Sequence, residues 1–164
     1  MNLTTAQFHE VFRPVSMLGP RTPDLSTPRW VSLKNSSKLV IFIQVQNGET
    51  VTGSALTLLQ AKTVTGTGSK TLALTKVYAT LDTEDASMGD TLVETSVSNN
   101  TFTPDTTDDK SLLYVIEVDA TQLDVANGYD CVRVGTADAD ATVVGIMGLL
   151  YPVTGNPVPK AITN

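Results

Sequence analysis

Nucleophilic and acid–base chemistry draw on histidine, cysteine or paired carboxylates, and this chain of 164 residues has one histidine, His9, and one cysteine, Cys131. His9 lies in a proline-rich N-terminal segment, so no histidine-based triad can be assembled from core elements. Cys131 falls within an alternating apolar run and reads as a small buried side chain rather than a nucleophile. One His and one Cys also exclude a Cys/His zinc site within a single chain. Asp105, Asp108 and Asp109, or Asp138 and Asp140, carry the oxygen ligands that calcium takes, but neither group has EF-hand spacing, and both read as solvated acidic loops. A glycosidase pair drawn from the same carboxylates would lack aromatic sugar platforms, Trp30 being the only tryptophan.

Val64 to Lys70, VTGTGSK, has the glycines of a phosphate loop without its order. Ser69 separates Gly68 from Lys70, strand-like alternation follows instead of a helix, and Thr71 stands where the dinucleotide fingerprint needs its third glycine. The stretch reads as a hairpin loop. No catalytic residue, metal ligand or cofactor site is therefore expected, and the chain is expected not to be an enzyme.

A net charge of −6 and a pI near 4.6 argue against a nucleic-acid-binding surface, which needs clustered Lys and Arg. The N-terminal MNLTTAQFHEVF has neither the basic start nor the apolar run of a signal peptide. The apolar run Val143 to Val153 is too short to span a bilayer and holds two glycines and a proline. Neither nucleic acid nor membrane is expected as a partner. The length suits one domain with a core of its own, and the weight of Thr and Val without helical periodicity points to an all-β chain.

Leu112 to Val134, LLYVIEVDATQLDVANGYDCVRV, organises the rest. Leu112, Tyr114, Ile116 and Val118 form an apolar face, while Leu113, Val115, Glu117 and Asp119 turn acidic as the strand leaves the core. Asp119 stands three residues before Gln122, a spacing that caps one helical turn. Leu123 and Val125 are expected to pin that turn inward, and Asn127-Gly128 supplies the positive φ to leave it. Alternation resumes from Tyr129 to Val134. Tyr129 two residues before Cys131 resembles the tyrosine corner of immunoglobulin-like sandwiches, although a lone cysteine rules out their disulfide.

Other expected strands are Trp30–Lys34, Lys38–Gln46, Ser54–Lys62 with Leu56 and Leu58 inward, Thr71–Ala79, Thr91–Val97, Thr101–Thr103 and Ala141–Tyr151. Lys38–Gln46 is apolar on both faces at its middle and is expected at a sheet centre, and Gly145 and Gly148 suggest a bulge or a close backbone approach. About eight short strands suit a two-sheet β-sandwich or jelly roll over residues 30–151. Residues 1–29 read as an extended Pro-rich N-terminal arm, with Pro14, Pro20, Pro23 and Pro28 forbidding regular structure. Residues 152–164 read as a tail.

The stretches VSLKNSSKLVIFIQVQNG, LTLLQAKTVTGTGSKTLALTKVY, ETSVSNNTF and LYVIEVDATQLDVANGYDCVRV resemble small tailed-bacteriophage virion proteins encoded beside the major capsid protein. The resemblance covers about residues 30 to 151 and marks a fold rather than a site. It implies a structural role in the particle: a head decoration (cement) protein made in the host cytoplasm and bound to the capsid exterior. The partner implied is the major capsid protein, with the chain itself a trimer or dimer. A neck, tail or head-fibre component, or a module binding host-surface carbohydrate, is the alternative. On the decoration reading, Phe8, Val11, Phe12 and Trp30 are the candidate capsid or subunit contacts, and removing residues 1–28 should leave a folded domain that no longer binds capsids.

Overall fold

In the computed structural model the described residues are 11–21, 28–47, 55–80, 82–83, 85, 87, 91–98, 100–104, 111–136 and 142–153. They form β1 (Arg13–Arg21), β2 (Val31–Ser32), β3 (Ser36–Asn47), β4 (Leu56–Ala61), β5 (Lys70–Thr71), β6 (Lys76–Ala79), β7 (Val93–Ser96), β8 (Thr101–Phe102), β9 (Ser111–Asp119), β10 (Cys131–Thr136) and β11 (Thr142–Pro152). A six-stranded sheet runs β1-β11-β3-β9-β6-β7 and a five-stranded sheet contains β2-β10-β4-β5, with β8 also on β4. Every pairing is antiparallel. The all-β, two-sheet architecture is the one that the alternation pattern implies.

Period-two alternation sets which face of each strand enters the core. Leu39, Ile41, Ile43 and Val45 of β3 are all fully buried, as are Leu56, Leu58, Ile116, Val118, Val132, Val134 and Val144 to within 1%. These side chains from both sheets make one continuous apolar layer. Each large aliphatic residue in it contributes about 1.5–3 kcal/mol. β3 sits between β11 and β9, as its apolar middle demands. Its outer face is only partly covered: Val40 is buried and Phe42 half-buried, but Gln44 and Gln46 are exposed.

Three expectations need correction. The first concerns the N-terminal segment, where Arg13–Arg21 is a strand paired with β11. Pro14 and Pro20 fit because β1 is an edge strand, where a missing N–H removes no ladder bond. Register shifts between Ser16 and Leu18 and between Leu18 and Arg21 twist this edge, while Met17 and Leu18 enter the core. Removing residues 1–28 would uncover β11 and take Met17 and Leu18 out of the core. Second, Thr71–Ala79 is not one strand. β5 belongs to the smaller sheet and β6 to the larger, and the chain crosses between them at Leu72 and Leu74, both buried. Third, Val125 is 61% exposed while Leu123 is buried. The tight 3-10 turn Val125–Asn127 points its first side chain to solvent, so only Leu123 pins the corner.

The corner otherwise follows its sequence. The Asp119 N–H donates to Gln122 Oε1 at 3.2 Å, and Gly128 leaves the second turn at φ 82°. Buried Gln60 reaches across from β4, its Oε1 accepting from the Asp124 N–H at 2.9 Å.

Candidate functional site

Trp30 stands at the entry to β2, held there by its neighbour: the Arg29 N–H donates to the Met17 carbonyl at 2.8 Å. That bond bridges β1 and the chain entering β2, which are edge strands of the two sheets on the same side of the sandwich. The Trp30 indole packs on the backbone of Gly66, where a Cβ would lie 2.6 Å from its Nε1. Gly66 has φ 85°, and the loop around it is laced by hydroxyls, Thr63 Oγ1 lying 2.8 Å from Thr65 Oγ1 and donating to Thr67 Oγ1 at 3.0 Å. The VTGTGSK stretch is thus the hairpin loop between β4 and β5, and it holds an aromatic ring.

Arg133 of β10 stacks its guanidinium over the same indole, 4.8 Å from the ring centroid. This is cation–π geometry, worth about 0.5–2 kcal/mol according to exposure. Arg133 Nε is shielded from solvent without a hydrogen-bond partner. Burial holds the Arg133 pKa below its ordinary value. Sequence reasoning did not find the pairing of Arg133 with Trp30. The only available signal was a shared orientation, and the register of β2 against β10 is set by the fold.

Trp30 also lines a groove of about 280 Å³ with Arg13, Pro14, Ser16 and Arg29. A second groove of about 350 Å³ shares Ser16 and Arg29 and extends to Arg21. All four arginines of the chain, Arg13, Arg21, Arg29 and Arg133, therefore line these grooves or touch the tryptophan beside them.

Of the other expected contact residues, Val11 is buried in the chain's own fold, and Phe12 is half-buried with its ring 4.6 Å from that of Tyr151, edge to face. Phe8 lies outside the described residues, as do His9, Asp105, Asp108, Asp109, Asp138 and Asp140. Among the described residues no cluster of three or more His, Cys, Asp or Glu is placed to hold a metal.

The outer face of the six-stranded sheet is apolar at its β1 side. Register places Ser16, Met147, Phe42, Val115 and Tyr78 in one row across five strands. Beside it is a groove of about 560 Å³ whose walls include Pro14, Leu18, Pro20, Phe42, Leu113 and Met147. Met147 is 51% exposed and Val143 38%.

Tyr129 resembles a tyrosine corner by spacing but not by bonding. Its hydroxyl donates to the Gly68 carbonyl at 2.8 Å, tying the corner to the β4–β5 loop, and Lys70 Nζ lies 4.2 Å from its ring centroid. Cys131 is buried, its thiol donating to Asp130 Oδ1 at 3.0 Å, and burial pushes its pKa up to about 12. A thiol so far from ionisation is no nucleophile.

No family model matches the chain, and neither does any curated protein. Among solved structures, it is similar to the SPBc2 prophage-derived protein YomS, with a TM-score of 0.45 and 9% identity over 85% of this chain and 91% of that one.

Proposed function

We propose that this chain is a structural protein of a tailed-bacteriophage particle, a decoration protein on the capsid exterior that works by docking rather than by catalysis. The observation that carries the docking part is the outer face of the six-stranded sheet. An apolar groove of about 560 Å³ there adjoins the exposed Met147 and Val143, on a sheet face whose other side already closes the core. Exposed apolar surface of this kind suits a macromolecular partner, because covering it releases water from both sides. The resemblance of residues 30–151 to small virion proteins supplies the particle as the setting and the major capsid protein as the partner. Repetition over a shell lets a modest contact hold through many copies.

Cosedimentation with expanded, undecorated heads of the parent phage tests the reading. Saturation at on the order of hundreds of copies per head is expected of decoration. Saturation at about a dozen copies would reassign the chain to the neck or tail, and no binding would sink the decoration reading.

A further inference from the structure

Of the five described lysines of this acidic chain, three meet a carboxylate, and Lys34 and Lys62 do not. Lys38, Lys70 and Lys76 each meet a carboxylate: Lys38 lies 2.8 Å from Glu117, Lys76 lies 3.2 Å from Glu94, and Lys70 is bonded to Asp124. Among the described residues Arg21, Arg29 and Arg133 meet none. With 17 Asp and Glu against 11 Lys and Arg, carboxylates are in excess, yet none of the described ones lines the two grooves along β1. Among the described residues, Arg21, Arg29 and Arg133 thus stand on one side of the sandwich without a carboxylate partner. Arg133 goes furthest, being half-buried with a shielded Nε that has no acceptor, where burial usually demands one.

We propose that the Trp30–Arg133 pair and the adjoining Arg29 and Arg21 form a docking site for an acidic segment of a partner protein. Such a segment lies along the grooves beside β1, its carboxylates accepting from the guanidinium forks while an apolar side chain covers the free surface of the indole. Arginine matches carboxylate geometry with two parallel bonds, and tryptophan and arginine are the residue types that dominate binding energy at protein contacts. Strand addition at this edge is disfavoured by Pro14, Pro20 and the two register shifts of β1, so side chains rather than backbone make the contact. The charge pattern also favours an acidic chain over nucleic acid, because the rest of the surface repels a long polyanion while a short segment meets only the arginine side. The inference deepens the docking reading above and rests on it only in requiring that a partner exist.

The test uses the full chain and a fluorescein-labelled hexaglutamate peptide, with no capsids, so that the fate of the virion reading does not decide it. Trp30, the only tryptophan, reports on the site through its own emission. Peptide titration should raise fluorescein anisotropy and shift Trp30 emission with the same midpoint. Arg133→Gln and Arg29→Gln should each weaken binding by about tenfold, and Lys76→Gln, an equal charge change at the far side of the sheet, should leave it unchanged. Arg29 is exposed and outside the strands, so its variant decides the matter if Arg133→Gln does not fold. Equal weakening by all three variants would reduce the effect to net charge and overturn the site. So would the absence of any Trp30 response, or tighter binding of an oligothymidylate of equal charge.

Discussion

Gly148 of β11 lies directly across from Val15 of β1, and a Cβ on it would fall 2.9 Å from both Val15 Cγ2 and Leu39 Cδ1. The missing side chain at position 148 lets the edge strand close onto the sheet with Val15 and Met17 in the core. Gly148→Ala should therefore act as overpacking, costing about 1–3 kcal/mol. A urea midpoint lowered by that amount, with an unchanged slope, is the expected result. Because β1 is the edge strand and yields more easily than β3, hydrogen exchange in Arg13–Arg21 should rise more than in β9. Uniform loosening would show instead that Gly148 matters to the whole sandwich.

Gly66 is constrained twice, by its φ of 85° and by the Trp30 indole above it. Alanine there meets left-handed strain of roughly 1–2 kcal/mol and must also displace the ring. Gly66→Ala should red-shift Trp30 emission and destabilise the fold by at least that amount. Gly128 has nearly the same φ, 82°, but open space around it. Gly128→Ala should thus cost only the backbone part and leave Trp30 emission unmoved, which separates the two effects.

What the sequence disclosed, and what it did not, follows from the range of the interactions involved. Alternation along Leu112–Asp119 is local and assigned that strand and its inward face, while the doubly apolar middle of Lys38–Gln46 gave its central place but not which face turns inward. The corner from Asp119 to Gly128 is local too, apart from Val125, whose orientation depends on how tightly the second turn winds. The N-terminal segment was misread because proline at an edge and proline in a loop look alike until the sheet order is known. The crossing at Leu72 and Leu74 was hidden for a similar reason, since two strands of different sheets joined by a short apolar link share one alternation. The arginine site was illegible: Arg21, Arg29 and Arg133 come together only when β1 and β2 meet at one side of the sandwich. Trp30 was singled out as a contact residue from its type, but nothing nearby in sequence revealed Arg133 beneath it.

Cys131 offers a test of core integrity that needs no substitution. Its thiol is buried, bonded to Asp130, and holds its proton up to about pH 12. A disulfide-exchange reagent requires both access and thiolate. At neutral pH the native chain should react at a rate set by opening of the fold, and should react within seconds in strong denaturant. Rapid labelling of the native chain would place β10 among frayed elements rather than in the interior.

Asp124 and Lys70 join the corner to β5, and the pair gives the fold a pH dependence of definite sign. Lys70 and two hydrogen bonds from Asn127 Nδ2, at 2.8 and 3.0 Å, hold the Asp124 pKa below its ordinary value. A carboxyl depressed in the folded state contributes stability that is present above its unfolded pKa of about 3.9 and lost as pH falls through the lower folded value. The Lys70 pKa is raised, chiefly by its bond to Asp124, so that contribution is intact below about pH 10.4 and fades as pH rises through the folded value. Asp124→Asn should therefore melt below wild type at neutral pH, with the gap closing as both are taken into acid below about pH 4. Because the pair is exposed, the gap at neutral pH should also shrink in high salt. A difference that persists undiminished in acid would assign the role of Asp124 to its hydrogen bonds with Asn127 rather than to its charge.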